Sequence, residues 1–306
     1  MNTPLPDVDT QRMALLRAEL LRRISHALPH DGRIEPLSGL HLYRVSAPYT
    51  GRHGVFVPAF CLIAQGVKQV SIGTHTHRYD PQHYLLTTVT VPGTGQVLEA
   101  SPDEPYLSLR IALDPMLVSS VLIEAGHAMP RSRSNVSSVD VSPVDPALLD
   151  AVVRLVRLIE TPAEVPVLQP LITREIVYRL LVGAQGERLR HAAVLGGHQH
   201  RIAQAVSRLR DDFDQTIRME QLAGELGMSL SSFHHQFKAI TGMSPISFQK
   251  QVRLQEARRL LLAEDLDAAT AGRRVGYDNA SHFNREYKRL FGKPPMQDAK
   301  DQRATA

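Results

Sequence analysis

Two sets of side chains in this 306-residue sequence have types and spacings that could do chemistry. The first is His75-Thr76-His77, with Asp80 and His83 close behind. Residues two apart on a strand face the same way, so His75 and His77 could offer two imidazoles to a metal. Asp80, the nearest acid, precedes Pro81 in a turn pattern, and surface histidines flanking a hairpin after Gly73 account for the same residues more simply. The second set lies in the last third: Ser231, His234, His235 and Lys238, then Ser281, His282, Arg285 and Lys288. Hydroxyls, imidazoles and a guanidinium on a helix face match base edges, and the lysines suit phosphate. There is no glycine-rich phosphate loop, and no Ser or Cys nucleophile has a recognisable partner. The sequence thus offers no catalytic residue, no cofactor site and no metal site.

What must position the second set is a unit that occurs twice between Met219 and Pro295. The first copy reads Ala223-Gly-Glu-Leu-Gly-Met-Ser229, then Phe233, Phe237-Lys238, Thr241-Gly242 and Pro245. The second reads Gly272-Arg-Arg-Val-Gly-Tyr-Asp278, then Phe283, Tyr287-Lys288, Phe291-Gly292 and Pro295. Phe233 to Phe283, Lys238 to Lys288, Gly242 to Gly292 and Pro245 to Pro295 share an offset of 50; the turn glycines Gly227 and Gly276 differ by 49. Such spacing marks a duplicated supersecondary unit. In copy one, Met219, Leu222, Ala223 and Leu226 form one helix face, Gly227 suits a sharp turn, and Ser229 caps the next helix. That layout is a helix-turn-helix, whose second helix enters the major groove.

Pro245 to Ala263 joins the copies as one helix with Pro at its start and no internal breaker. Its 19 residues span roughly 28 Å at ~1.5 Å each. Ile246, Leu254, Ala257 and Leu261 lie on one side, with Phe248 and Val252 nearly opposite, so each end should touch its own small bundle. Two recognition helices would then sit about 34 Å apart, one turn of DNA.

These residues resemble the AraC family of bacterial transcription regulators. The matching text runs from Ser229 through Phe237-Lys238 and Thr241-Gly-Met-Ser-Pro245 to Arg253-Leu-Gln-Glu-Ala-Arg-Arg-Leu-Leu261. It continues with Val275-Gly-Tyr277, Ser281-His-Phe-Asn-Arg-Glu-Tyr-Lys288 and Phe291-Gly292, covering roughly 198–301. One departure is Ala268, Ala271 and Gly272, where the family pattern has two aliphatic residues and an alanine. With less apolar area there, the second unit is expected to be the looser one.

Charge agrees with a nucleic-acid partner. From Arg201 onward there are 17 Lys plus Arg against 13 Asp plus Glu, a difference equal to the whole chain's net +4. Cys61 is the only cysteine, which excludes an intrachain disulfide and fits a cytoplasmic location. No apolar run reaches membrane-spanning length, and the start lacks a basic-then-apolar leader pattern.

Residues 1–9 read as loose, and Thr10 to Ala27 as a helix packed on the domain that follows, so 1–30 forms an N-terminal segment. Strands are expected at Leu40–Ser46, Gly54–Ile63, Lys68–Ile72, His83–Val91, Gln96–Glu99 and Tyr106–Ile111, a barrel or jelly roll. Phe60-Cys-Leu-Ile-Ala-Gln-Gly-Val-Lys68 and Ala100-Ser-Pro-Asp-Glu-Pro-Tyr-Leu107 are similar to the cupin-like sensor domain of one branch of the same family. The domain is set at 31–128. Met129 to Pro146, rich in Ser, Arg and Pro, opens a linker and dimerisation region at 129–197. It holds helices at Ala147–Glu160 and Leu168–Ala184, and Arg188–Gly197 leads to the DNA-binding domain at 198–301.

The expected fold is therefore α+β: a cupin-like β-barrel, then helices, then an all-α domain with two helix-turn-helix units on a long helix. The expected function is a sequence-specific regulator of promoter DNA, answering to a small-molecule effector whose site is unknown. The resemblance implies a homodimer and contact with RNA polymerase, with no membrane partner. The competing reading is a cupin metalloenzyme, isomerase or dioxygenase in type, fused to a DNA-binding module.

Overall fold

The computed structural model describes residues 8–126, 137–193, 198–264 and 266–305. Elements are numbered along the chain. One antiparallel sheet carries β1 (Gly32–Leu37), β2 (Leu40–Val45), β9 (Tyr106–Ala112), β4 (Ala59–Gln65), β7 (His83–Thr87) and β10 (Val139–Pro143), in that order. A second carries β3 (Tyr49–Phe56), β8 (Val91–Glu99), β5 (Val67–Ile72) and β6 (His75–Tyr79). Alternation divides the larger sheet into two faces. Phe60, Leu62, Leu107, Leu109 and Ile111 pack on helices, whereas Ile63, Leu85, Tyr106 and Val139 meet Val70, Ile72, Val91 and Val97 of the smaller sheet.

The helical layer comprises α1 (Val8–Ala27), α2 (Pro115–Glu124), α3 (Pro146–Arg157), α4 (Val165–Val182) and α5 (Gly186–Ala193). Leu16, Leu20 and Ile24 of α1 enter the core it shares with α3 and the larger sheet. Glu19 accepts two hydrogen bonds from Arg157, at 2.7 and 2.8 Å, and one from Arg23 at 2.7 Å. The Arg157 bond does most to bring its carboxyl down to about 2, and so α1 is tied to α3.

Several expected boundaries differ. Gly54–Ile63 is two strands in different sheets, divided at Val57-Pro58, where proline cannot donate to a ladder. His83–Val91 likewise divides, and Val91 begins β8, which includes the expected Gln96–Glu99. The Ser/Arg/Pro-rich stretch supplies β10, which pairs with β7, a non-local pairing that local composition does not encode. Arg188–Ala193 is helical, within α5. Residues 1–7, 127–136 and 194–197 of the expected loose terminus, boundary and linker lie outside the described residues. Among the described residues no helix is long and apolar enough to cross a membrane.

The remainder is helical: α6 (His198–Asp211), α7 (Met219–Glu225), α8 (Leu230–Thr241), α9 (Pro245–Ala263), α10 (Ala268–Arg274), α11 (Ala280–Phe291) and α12 (Pro295–Thr305). It has two separate cores. Phe248 and Val252 of α9 enter the first, with α6, α7 and α8; Leu254, Ala257, Leu260 and Leu261 enter the second, with α10, α11 and α12. Ile246, expected to be buried on the Leu254 side, is 50% exposed because the second core begins farther along the helix.

Candidate nucleic-acid interface

Helix caps fix both recognition helices. Ser229 Oγ accepts from the Ser232 N–H at 3.3 Å to start α8, and Asn279 Oδ1 accepts from the His282 N–H at 2.9 Å to start α11. Both end at a left-handed glycine, Gly242 or Gly292. With Phe233, Phe237 and Ile240 buried, α8 presents Ser231, His235 and Lys238 to solvent, and His234 is half-buried with its ring 5.9 Å from that of Phe233. With Phe283 and Tyr287 buried, α11 presents Ser281, Arg285 and Lys288.

His282 behaves differently from the rest of the set. Its ring packs 5.6 Å from Tyr277, and its Nε2 is 3.9 Å from buried Glu286, which also pairs with Arg289 at 2.7 Å and Lys250 at 3.7 Å. Exposed Asn284 is an addition to the expected set. Residues 281, 284, 285 and 288 have the same i, i+3, i+4, i+7 spacing as 231, 234, 235 and 238. The signal was already in the repeat: adding 50 to His234 gives Asn284, not His282.

The two faces are held at a fixed separation. Phe213, between α6 and α7, packs against both cores. Arg253, midway along α9, donates to the carbonyls of Gly276 and Gln215, each at 2.9 Å, and to that of Phe213. Burial pulls its pKa down, yet a guanidinium stays charged at physiological pH. Gly276 takes φ +82°, and a Cβ there would fall 2.3 Å from the Asp214 carbonyl oxygen, so this turn requires glycine twice over.

The β domain touches both units. Val89 is buried in the first core, the Ser138 N–H donates to the Ile240 carbonyl at 3.0 Å, and Gln255 Nε2 donates to the Gly54 carbonyl at 3.2 Å. The His53 ring meets Phe291 edge-on at 4.8 Å. These contacts fall at the C-terminal ends of α8 and α11 and along α9, so the exposed recognition residues stay uncovered.

The histidines considered for metal point elsewhere. His83 Nδ1 is 2.8 Å from Asp80, His77 Nδ1 is 3.9 Å from Asp140, and His75 is exposed on β6. Among the described residues no group of three or more His, Cys, Asp or Glu is placed to hold a metal ion.

A family model described as AraC-type transcriptional regulator N-terminus matches residues 36–188, half of the chain. The chain belongs to this family. A helix-turn-helix domain model matches residues 222–301, which contain both recognition helices. The family is one of transcriptional regulators, not of enzymes. The HTH-type transcriptional activator RhaS of Klebsiella pneumoniae is 32% identical over 124 residues, 40% of this chain and 44% of RhaS. RhaS of Escherichia fergusonii is 27% identical over 157 residues, 50% of this chain and 55% of its own length. The chain thus spans about half the length of the curated relatives it matches. ToxT of Vibrio cholerae strain SCE256, solved with an unsaturated fatty acid bound, aligns with TM-score 0.54 at 11% identity, over 85% of this chain and 94% of ToxT. An apo ToxT variant gives TM-score 0.55 at 11% identity, over 87% and 98%. At that identity the likeness shows that this chain and ToxT share a fold.

Proposed function

We propose that this regulator binds specific promoter DNA with both units at once, α8 and α11 entering successive major grooves. The observation that supports this most is the pair of exposed polar faces held by one continuous α9 and by Arg253. Ser231, His234, His235, Ser281, Asn284 and Arg285 are the base-facing set, His282 borders it, and Lys238 and Lys288 meet phosphate. Arg285→Ala is expected to cost ~1–3 kcal/mol on the cognate site and to relax its sequence preference. Fluorescence anisotropy on cognate and random duplexes tests this. An equal loss on both would make Arg285 a phosphate contact.

The same reading assigns regulation to the β domain, which we take to be cupin-like. A cavity of about 350 Å³ lies between its sheets, with Val55 and Phe56 of β3 in its wall. His53 and Gly54, next on the same strand, are the residues that touch Phe291 and Gln255. An effector in the cavity would therefore press on the strand that seats the DNA-binding domain. ToxT, solved with a fatty acid bound, is a precedent for a small molecule on this fold. Val167, Leu171, Tyr178 and Val182 of α4 are exposed at near-heptad spacing, which fits a homodimer seam. The working divisions are 1–30, 31–128, 129–197 and 198–301, in a cytoplasmic protein that contacts RNA polymerase at its promoter.

A further inference from the structure

The cavity between the two sheets has an unusual charge. Its charged lining residues are Arg33, Lys68 and Arg110, with no Asp or Glu among them. Lys68 sits on β5 in phase with buried Val70 and Ile72, so its stem runs inward; a Cβ at Gly95 would already touch its Cε at 3.4 Å. Its ammonium lies 5.9 Å from the centre of the Tyr106 ring and makes no ion pair among the described residues. Arg110, on β9, projects from the facing sheet, where its register partners are Cys61 and His41. The Arg110 Nε is buried with no hydrogen-bond partner, and the Tyr106 hydroxyl, beside Ser108 and Tyr79, makes no well-formed hydrogen bond.

One acid, Glu35, lies within electrostatic reach of Arg33 and Arg110. Glu35 stands outside the lining, accepts from the Gly39 N–H at 2.9 Å, and lies 3.5 Å from His41. Burial lowers the pKa of Lys68; His41 is lowered by burial and then by Arg110 and Arg33, the direction expected where cations outnumber acids. Buried charge is ordinarily paired, and buried donors are ordinarily satisfied. A site that leaves two cations and a hydroxyl facing one cavity is complete only with an anion inside it.

We propose that the cavity binds a small organic acid, its carboxylate facing Lys68, Arg110 and the Tyr106 hydroxyl, its apolar body against Val55, Phe56 and Leu85. This rests on the effector reading above and gives that effector its chemical class. The volume, at the low end of the ~300–1,000 Å³ of small-molecule pockets, holds about a dozen non-hydrogen atoms at the ~30 Å³ a water molecule occupies. Phenylalanine and valine in the wall give such a molecule an apolar surface that inorganic anions cannot use.

Calorimetric titration of the full chain tests the assignment with benzoate and octanoate, the matching amides, and inorganic phosphate. The acids should bind at least tenfold more tightly than their amides and than phosphate. Lys68→Met and Arg110→Met should each weaken the acids at least tenfold and leave the amides unchanged. Lys68→Met should also raise the melting temperature of the unliganded chain, since it removes an unpaired buried charge. Amides or phosphate binding as tightly as the acids, acids binding equally well to both variants, or no acid binding at millimolar concentration would each overturn the proposal. Operator affinity measured with the same probes separates the two claims. Acids that bind without changing it would sink the effector reading and leave the acid site standing.

Discussion

The two helix-turn-helix units share one spacing but are held together differently. The first closes over an uncharged core: Ile202, Val206 and Leu209 of α6 with Phe233, Phe237, Ile240, Phe248 and Val252. The second contains a buried ionic centre. Arg258 gives Asp298 two hydrogen bonds at 2.7 and 2.8 Å, and the Tyr287 hydroxyl donates to the same carboxylate at 2.8 Å. Asp298 is only 3% exposed. A repeat pattern of Gly, Ser/Asn, Phe and Pro therefore fixes geometry without fixing the source of cohesion.

The largest effects should come from breaking each core in its own terms. Phe237→Ala is expected to cost ~3–5 kcal/mol through the cavity it leaves, and Asp298→Ala a similar ~3–5 kcal/mol through the unpaired Arg258. Denaturant unfolding measures both. The sharper comparison is rescue. Adding Arg258→Met to Asp298→Leu should recover part of the loss in the second unit, because an apolar pair can replace a buried ion pair, while the Tyr287 hydroxyl stays without its acceptor. Failure to recover would show that the pair is needed for more than charge balance.

A smaller effect should change sign between the units. Gly272 corresponds to Ala223 at the offset of 49, and a Cβ there would lie 3.0–3.1 Å from the Phe283 ring. The ring fills the space that a larger residue would take, so the expected slackness at Ala268, Ala271 and Gly272 is offset by close approach. Gly272→Ala should destabilise by ~1–2 kcal/mol, overpacking outweighing a helix-propensity gain of up to ~1 kcal/mol. Gly224, in the corresponding helix of the first unit, has nothing within 4 Å of an added Cβ. Gly224→Ala should stabilise by up to ~1 kcal/mol. Melting curves that move the same way for both would contradict this account of Gly272. Hydrogen exchange adds a direct comparison: if residues 267–291 exchange faster than 219–241, the second unit is the looser one despite the Phe283 contact.

The smallest expected effect is one of pH, and it belongs only to the second unit. Burial beside Phe291 lowers the His53 pKa, nearby Arg258 adds to this, and Asp298 acts in the opposite direction. An undocked histidine takes up a proton near pH ~6.5, whereas the docked ring does so only at lower pH. Docking of the β domain on the second unit is thus supported above that range and weakens as pH falls through it. Energy transfer between labels on the β domain and α12 should report the loss from about pH 8 toward 5.5, and His53→Gln should flatten the curve. Identical curves for parent and variant would remove His53 from the docking contact.

What could be read in the sequence follows from the range of the interactions. The helix-turn-helix units were legible because turn glycines, N-caps and the Phe233 and Phe237 stripe act within a few residues. The division of Gly54–Ile63 and the pairing of β10 with β7 were not, since partner strands lie far away in the chain. The cavity residues carry a local signal: Lys68 alternates in phase with Val70 and Ile72, and Arg110 with Tyr106 and Ser108. A cation in phase with buried residues marks an interior charge, but only the folded sheets show that two such cations face one space. Outward position on α11 is legible for His282, whereas its contacts to Tyr277 and Glu286 appear only in the folded unit.

The central claim is that one chain reads two successive major grooves. Base-resolved major-groove protection on a cognate promoter fragment measures this directly, using the parent chain, His235→Ala and Arg285→Ala. The account predicts two protected patches on one face of the duplex, centred about 10–10.5 base pairs apart. His235→Ala should expose bases in one patch only, and Arg285→Ala bases in the other only. A single patch, or both variants exposing the same bases, would contradict it.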